Sequence, residues 1–467
     1  MGQRFISADR EQELLLPPSL REWLPPNHLA WFVIDTVDSF DLTAFYAAYR
    51  QDGHGRPGHD PALMVGLLMY AYATGERSSR RIERRCIEDV AFRVIAANVV
   101  ADHTTIARFR LRHEVALGEL FGQVLGLCAQ AGLVGLEVVA IDGTKMHANA
   151  SHHANVDYEK LARKILEEAA EIDAAEDGQF GERRGDELPP ELATSQGRRG
   201  WLREAKRRLE EERAAEARPI PASRPARLKD AKRRLEEELW AETRANSAYE
   251  AYRARGRMKD GRRFGRPPDP VQMPTVPTGK INLTDPDSRN VKTPRGWMQG
   301  YNAQAATNAR QIVIAAEIIN DSPDFGQLEP MLDHAQRELA QIGIDDRPTV
   351  LLADAGYWHQ QQMEHIVDRG IQVLIPPDAG KRKTPRPGWD GGLYSFMRTV
   401  LATDTGGELY GKRQGMIEPV FGDTKHNRGY DRFQRRGRAA CRSEWRLITA
   451  TGNLLKLWRH NNTPALA

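Results

Sequence analysis

The sequence predicts an all-α N-terminal domain and an α/β core that is interrupted by a charged helical insert. Three observations support this architecture. Apolar residues recur at helical spacing in residues 1–130. Further along the chain, runs of β-branched residues alternate with an amphipathic stretch, which is typical of α/β proteins. Between about residues 155 and 260, charged residues dominate and large apolar residues are sparse.

The composition excludes several classes of protein. The chain has 467 residues, of which 40% are hydrophobic and 28% are charged. This length predicts two or three domains, and the apolar content is too high for wholesale disorder. No stretch approaches the roughly 18 apolar residues of a membrane helix, and Arg4, Asp9 and Arg10 are unlike the apolar core of a signal peptide. We therefore expect a cytoplasmic protein with no membrane partner.

Cysteine spacing and charge distribution limit the kinds of site and partner that the protein can have. Cys86, Cys128 and Cys441 are widely separated, so we expect them in the core and not in a disulfide or zinc site. The net charge is only +3, but residues 77–112 carry nine Lys or Arg against four acids, and residues 411–467 carry twelve against four. These two basic regions favour a polyanionic partner.

The N-terminal domain contains a candidate helix-turn-helix. Ser78 can cap one helix and Asp102 can cap the next. Arg108 and Arg112 share a face of that second helix, which would enter the major groove of DNA. A helical domain with an ordinary solvated arginine face is the alternative. The candidate DNA-binding residues on the two helices are Arg80, Arg81, Arg84, Arg85, Thr104, Thr105, Arg108 and Arg112.

The α/β core begins with a buried strand that is predicted to end at Asp142. Later apolar runs predict a hairpin, an amphipathic helix and two further strands. The predicted segments are a strand at 136–142, hairpin strands at 301–307 and 312–319, a helix at 328–342, and strands at 349–353 and 371–375.

The insert contains an internal repeat. The eight residues Ala-Lys-Arg-Arg-Leu-Glu-Glu-Glu at 205–212 recur identically at 231–238, and the Pro-rich residues 219–225 separate the copies. Both copies combine high helix propensity with opposite charges three to four positions apart, which predicts two charged helices joined by a turn. A solvated arm is the alternative. Residues 255–280, rich in Gly, Arg and Pro, predict a linker.

Three carboxylates are candidates for chemistry. Asp142 and Asp354 each follow a predicted strand and precede a glycine-containing turn, so they would meet at the carboxyl edge of a parallel pair. Glu418 lies just before a proline, where a helix would start or kink. In a regular helix Lys425 would lie about 20° from Glu418, and Asp423 about 140° away. Asp423 is therefore the weaker candidate for the third acid.

Three carboxylates without histidine or cysteine favour a hard cation, Mg²⁺ or Mn²⁺. A pair of such ions would activate a water or a 3′-hydroxyl and stabilise the leaving oxygen, giving in-line displacement at phosphorus. Lys425 would then hold a phosphate. For Asp142 or Asp354 taken alone, a role in a turn or helix cap is the alternative.

The segments that carry these acids resemble a known family. Asp142 lies in Ala-Ile-Asp-Gly-Thr-Lys, Asp354 in Ala-Asp-Ala-Gly-Tyr and Glu418 in Ile-Glu-Pro-Val-Phe-Gly-Asp-Thr-Lys. Together they resemble the DDE transposases of bacterial insertion sequences. Segments 56–61 and 101–110 are similar to the helical N-terminal domain of InsH-like transposases.

The resemblance implies an α/β ribonuclease-H-like catalytic core over residues 135–155 and 280–460, with an all-α DNA-binding domain over 1–130 and a charged helical insert and linker over 156–279. It also implies an enzyme that binds double-stranded DNA at terminal inverted repeats, cleaves it with Mg²⁺ or Mn²⁺ and joins the 3′-hydroxyl ends to target DNA, acting as a homodimer. A metal-dependent nuclease without strand transfer and a non-catalytic DNA-binding repressor are the alternatives.

The resemblance also assigns individual residues. In the family the glutamate belongs to a Tyr-x2-Arg-x3-Glu-x6-Lys signature, which Tyr410, Arg413, Glu418 and Lys425 match with one additional residue between Arg413 and Glu418. The three acids would bind the metal, and Lys425 would act with them in catalysis. Tyr410 and Arg413 would contact DNA, and Lys412 is an alternative to Arg413.

Overall fold

The computed structural model describes most of the chain. The described residues are 19–49, 58–163, 198–215, 219–255, 273–293, 296–321, 323–378, 389 and 391–463. Several sequence-based expectations fall outside them: residues 56 and 57 of the first motif, residues 164–197 of the insert, and residues 256–272 of the linker.

The N-terminal part is helical in its described residues, as the sequence predicts. Asp60 caps α3 by accepting from the Ala62 amide, and a proline begins that helix. Asp102 caps α6 by accepting from the amides of Thr104 and Thr105. The helices are α1 (Leu29–Asp38), α2 (Thr43–Tyr46), α3 (Pro61–Ala73), α4 (Ser79–Glu88), α5 (Val90–Ile95), α6 (His103–Arg112) and α7 (Glu114–Gln130).

A six-stranded mixed sheet forms the centre of the core. Its order is β4-β5-β1-β7-β8, with β6 also paired to β5. The hairpin β5–β6 is antiparallel, as is β1 with β5, whereas β1, β7 and β8 run parallel. The strands are β1 (Val138–His147), β4 (Arg289–Thr293), β5 (Gly296–Asn308), β6 (Val313–Ile319), β7 (Val350–Leu352) and β8 (Gln372–Leu374). A second, two-stranded sheet pairs β2 (Asn155–Asp157) with β3 (Lys280–Asn282).

One sequence-based boundary was wrong. Asp142 does not end the first strand, because β1 continues to His147. The antiparallel partner β5 is long enough to pair with β1 from Val139 to His147. Asp142 therefore lies in the middle of a strand, at the point where pairing with β7 has already stopped.

The remaining helices pack around the sheet and against the N-terminal helices. Trp445 of α14 is fully buried and its indole N–H donates to Gln304 O of β5 (2.9 Å). Arg446, also buried, donates to Gly118 O of α7 (2.9 Å) and pairs with Glu338 of α10. The three cysteines are buried and free. These helices are α10 (Leu328–Gln341), α11 (Gln360–Asp368), α12 (Gly392–Ala402), α13 (Asp404–Gly422) and α14 (Arg438–Asn462).

The described part of the insert forms two helices, α8 (Arg198–Ala215) and α9 (Arg224–Arg255). Leu228 and Leu235 of α9 are buried in a small apolar cluster with Ile281 of β3. Opposite charges join the insert to the core, for instance where Arg289 of β4 pairs with Glu210 (3.0 Å) and Glu238 (3.1 Å). None of the described helices is both long and apolar enough to span a membrane.

Candidate active site

The structure brings Asp142 and Asp354 to the same edge of the sheet. β1 and β7 are parallel and pair Ala140 with Leu352, so each aspartate lies two residues beyond that pair. Asp354 then caps a short 3-10 turn, because its Oδ1 accepts from the Gly356 amide (2.8 Å). Two carboxylates thus meet where β7 ends and the edge of β1 becomes free.

Both carboxyls lie in surroundings that disfavour their charged forms. Burial, followed by the negative charge of Asp354, raises the pKa of Asp142 to about 6, although Arg413 opposes the shift. Burial also raises the pKa of Asp354, against the hydrogen bond from the Gly356 amide. An additional positive charge at this edge would stabilise both carboxylates.

Helix α13 delivers a positive charge to the pair. Arg413 Nη1 lies 2.8 Å from Asp142 Oδ2, and the two side chains are only 15% and 17% exposed. Tyr410 lies one turn earlier, and burial raises the pKa of its hydroxyl while Arg413 lowers it. Lys412 is exposed. Arg413, and not Lys412, therefore contacts the edge of the sheet where the two aspartates lie.

The end of α13 departs from regular helical geometry. Pro419 lies inside the helix, and the chain then makes a π-helical turn at residues 423–427. Proline has no N–H to donate back to Gly415 O, and Gln311 Nε2 of the hairpin turn donates to that carbonyl (2.9 Å). A π-turn holds more residues than an α-turn, so angles extrapolated from a regular helix do not apply beyond it.

Lys425 contacts β1 from this π-turn. Its Nζ donates to Lys145 O (2.8 Å), three residues beyond Asp142. Burial lowers the pKa of Lys425. Asp423 instead pairs with Arg428 (3.0 Å) and takes no part in the cluster of acids.

Glu418 does not join Asp142 and Asp354 in this structure. Its side chain is exposed, and its Oε2 accepts from Gln414 of the same helix (3.1 Å). Glu418 follows Arg413 by five residues, which places it about 140° around the helix from the face that meets β1. Over the described ranges, no three His, Cys, Asp or Glu residues are grouped closely enough to hold a metal ion. The three-carboxylate site expected from the sequence is thus not assembled here.

The donor atoms that are present fit a hard divalent cation in part. Asp142 and Asp354 offer two carboxylates at one edge, and burial, the largest cause of their raised pKa values, disfavours the charged form of both. Arg413 compensates one of them. These two aspartates are the residues that could hold a metal.

Two family models match the chain, one before strand β1 and one after it. A transposase domain (DUF772) matches residues 18–112, and a transposase DDE domain matches residues 271–454. The chain belongs to the DDE transposases of insertion sequences. The second match includes Asp354 and Glu418, whereas Asp142 lies in the region between the two matches. No match was found among curated proteins or among solved structures.

The first matched segment of the transposase presents α6 with an exposed basic side. Arg108 and Arg112 are exposed, and the Arg112 guanidinium lies over the Tyr49 ring (5.1 Å to the centroid). Thr104 and Thr105 hydroxyls both bond the capping carboxylate of Asp102. The two threonines therefore have a structural partner as well as the DNA-binding role predicted for them.

The arginines of α4 divide into two groups. Arg81, Arg84 and Arg85 are paired with acids, so their charges are partly neutralised; Arg80 is exposed, and no partner is found for it within the described part of the chain. The pairs are Arg81 with Glu76 (3.2 Å), Arg84 with Glu88 (2.9 Å) and Arg85 with Asp89 (3.2 Å).

Two residues of the transposase site were missed from the sequence. Lys145 of β1 lies close to Asp142 and Asp354, and its Nζ is 3.4 Å from Asp324 Oδ1. Asp324 lies in the loop after β6 and raises the pKa of both aspartates. Lys145 could have been noticed, because it stands three residues after Asp142 in the same motif. Asp324 follows no local pattern, and only the packing of its loop against β5 brings it to the site.

Proposed function

We propose that this transposase binds the terminal inverted repeats of its insertion sequence, cleaves the DNA there and joins the 3′-hydroxyl ends to target DNA. The observation that carries the proposal is the meeting of Asp142 and Asp354 at the carboxyl edge of parallel strands β1 and β7. Burial raises the pKa of both carboxyls, and a bound cation would favour their charged forms. The sheet order, with an antiparallel hairpin on one side of β1 and parallel strands on the other, supports a ribonuclease-H-like core.

Asp142 and Asp354 would hold a Mg²⁺ or Mn²⁺ ion. Such an ion, when bound, supplies Lewis-acid stabilisation of the oxygens that attack and leave a phosphodiester. We propose Glu418 as the third ligand on the strength of its motif. Glu418 lies on α13 after Arg413 and before Lys425 of the π-turn, both of which contact β1. Because Glu418 faces about 140° away from the side of the helix that meets β1, its binding of the metal would require this part of the chain to rearrange.

The other charged groups would position the DNA. Arg413 holds Asp142 in place and can donate to a phosphate through its remaining N–H groups. Lys425 is fixed to the β1 backbone and would hold a phosphate at the same edge. Tyr410, partly buried beside Arg413, would contact the DNA at the mouth of the site.

The helical domain over residues 1–130 would bind the element ends. Exposed Arg108 and Arg112 on α6 are the principal candidates for groove contacts, and Arg80 is the candidate on α4 that has no acid partner in the described ranges. Residues 135–155 and 280–460 would form the catalytic domain, and 156–279 the insert and linker. Two copies of the chain would hold the two ends as a homodimer.

The test is cleavage and joining of duplexes that carry the inverted repeats flanking the gene. Wild type should cleave them in Mg²⁺ and not in EDTA, and should join the ends to plasmid DNA. Asp142→Asn, Asp354→Asn and Glu418→Gln should bind the duplexes normally and lose nearly all cleavage. Glu408→Gln is the matched control, because Glu408 is an exposed glutamate on the same helix.

Each outcome decides one element of the proposal. Cleavage that persists in EDTA would refute the metal-dependent mechanism. Full activity of Glu418→Gln would remove Glu418 as the third ligand. Cleavage without joining would identify a nuclease instead of a transposase.

A further inference from the structure

Strand β1 itself carries a lysine, Lys145, three residues after Asp142. Its side chain is 21% exposed, so most of it is buried. Burial lowers its pKa, and Asp324, Asp142 and Asp354 each raise it. All three acids therefore lie within electrostatic range of one lysine.

Asp324 is held firmly where it meets Lys145. Its Oδ1 accepts from Asn302 Nδ2 (2.7 Å) and from Gln304 Nε2 (2.8 Å), both on β5. Gln304 is in turn bonded by the buried Tyr357 hydroxyl. This network fixes the first carboxylate oxygen of Asp324.

Gly143 makes this packing possible. A Cβ at this position would lie 2.2 Å from Gln304 Nε2, 2.5 Å from Asp324 Oδ1 and 2.6 Å from Asn302 Oδ1. The Asn302 oxygen is fully buried and has no hydrogen-bond partner in the described part of the chain. The polar side chains thus close over the backbone of β1 directly beside Asp142.

Lys145 differs from the other two cations of the site. Arg413 makes a 2.8 Å ion pair with Asp142, and Lys425 makes a 2.8 Å bond to a carbonyl. The Lys145 ammonium has three N–H groups and, within the described ranges, one anionic partner, Asp324, at 3.4 Å. Among the described residues no further acceptor is found for the ammonium, so its other N–H groups could donate to an incoming anion.

We propose that Lys145, anchored by Asp324, binds the phosphate on which Asp142 and Asp354 act. The proposal rests on the proposed function and adds a catalytic residue and a positioning residue to it. A phosphodiester brought to this edge adds negative charge beside three acids, and an ammonium with free donors offsets that charge. Asp324 would act through Lys145 by holding the ammonium at the edge.

The test is a double-mutant cycle between the lysine and the phosphate charge. Duplexes with the inverted repeats that flank the gene are prepared with the scissile phosphate either normal or replaced by an uncharged methylphosphonate. Their dissociation constants are measured in EDTA, so that no cleavage occurs. Wild type should bind the methylphosphonate duplex about tenfold more weakly, the size of one charge-assisted hydrogen bond.

In Lys145→Met that penalty should fall below about twofold, because the partner of the charge is gone. Lys292→Met is the control: Lys292 is an exposed lysine on β4, and its loss should leave the tenfold penalty unchanged. Asp324→Asn keeps an acceptor oxygen for Asn302 and Gln304 but removes the charge that holds Lys145. It should lower the penalty to about threefold without changing the melting temperature.

A tenfold penalty retained in Lys145→Met would overturn the proposal, as would the absence of any penalty in a wild-type protein that cleaves the unmodified ends. Should Lys145→Met fail to fold, Lys145→Gln gives the same comparison with a polar side chain, and the same outcomes decide it. A wild-type protein that leaves unmodified ends uncut would refute the proposed function, and this proposal with it.

Discussion

At the scale of single residues, the main feature of the site is the negative charge of Asp142 and Asp354, which the surrounding side chains offset only in part. Asp142 is buried beside Asp354, and Arg413 compensates only part of the cost. The raised pKa of Asp142 means that the folded protein binds a proton more tightly than the unfolded chain does. Its charged form therefore destabilises the metal-free protein.

This gives a pH-dependent prediction for Asp142→Asn. Well below the unfolded pKa, at about pH 3, the Asp142 carboxyl is protonated in both the folded and the unfolded states, and the variant and wild type should differ least. Between about pH 4 and pH 6 the unfolded chain loses this proton before the folded protein does, so wild type should lose stability relative to the variant, by roughly 1–3 kcal/mol in total once the pH is above about 6. Urea unfolding in EDTA from about pH 3 to pH 8 measures the difference. Equal stability at pH 8 would contradict the assigned electrostatics.

A second prediction for Asp142 compares the stability of wild type and of Asp142→Asn with and without Mg²⁺. A bound cation should stabilise wild type at pH 8 and leave Asp142→Asn nearly unchanged, since the variant lacks one of the two carboxylates. Potassium chloride at equal ionic strength is the control for general screening.

At the scale of elements, α14 joins the N-terminal helices to the core. Arg446 of α14 donates to Gly118 O of α7 and is paired with Glu338 of α10, and all three positions are buried. One guanidinium therefore links three helices. A buried pair of this kind is costly to break, because the remaining charge is left without compensation.

Glu338→Ala should lower the free energy of unfolding by about 3–5 kcal/mol, since it strands Arg446 in the interior. Glu88→Ala is the matched comparison, because Glu88 pairs with Arg84 at the surface of α4 and its removal should cost less than about 1 kcal/mol. Chemical denaturation of both variants gives the two values. A cost for Glu338→Ala as small as that for Glu88→Ala would show that the buried pair does not hold the helices together.

At the scale of the whole molecule, two transposase segments share one apolar core. The buried side chains of α3, α7, the sheet and α14 form a continuous cluster. The candidate DNA-binding helix α6 is thus carried on the same framework as the acids. A substitution at a buried position of this cluster would disturb both α6 and the edge of β1. Only substitutions at exposed positions can therefore test the proposed DNA binding by α6 apart from the proposed chemistry at β1.

Arg108→Ala combined with Arg112→Ala should weaken binding of the element ends while leaving the fold intact, because both side chains are exposed. If each contacts one phosphate, the slope of log affinity against log salt concentration should decrease by about 2. Fluorescence anisotropy at several salt concentrations measures it. The control is Arg337→Ala with Arg347→Ala, two exposed arginines on and after α10. An unchanged slope in the α6 variant would reject α6 as the DNA-binding helix.

The sequence by itself determined the elements and the family. Helical periodicity indicated that the N-terminal part is helical, and the capping role of Asp102 was readable from its position. Strands β6, β7 and β8 lie close to their predicted bounds, whereas β5 begins at Gly296, earlier than the predicted residue 301. The motifs around Asp142, Asp354 and Glu418 resemble those of the DDE transposases, and such motifs are readable from the sequence because they are properties of adjacent residues.

Only the tertiary structure decided which side chains meet at the site. Glu418 is exposed because α13 turns a different face toward β1, and the π-turn after Pro419 changes the angles that a regular helix would have. Asp324 reaches Lys145 because a loop packs across β5, a contact between residues 179 positions apart. Such contacts depend on how whole elements pack and on which faces they bury, and no short-range pattern in the sequence encodes them.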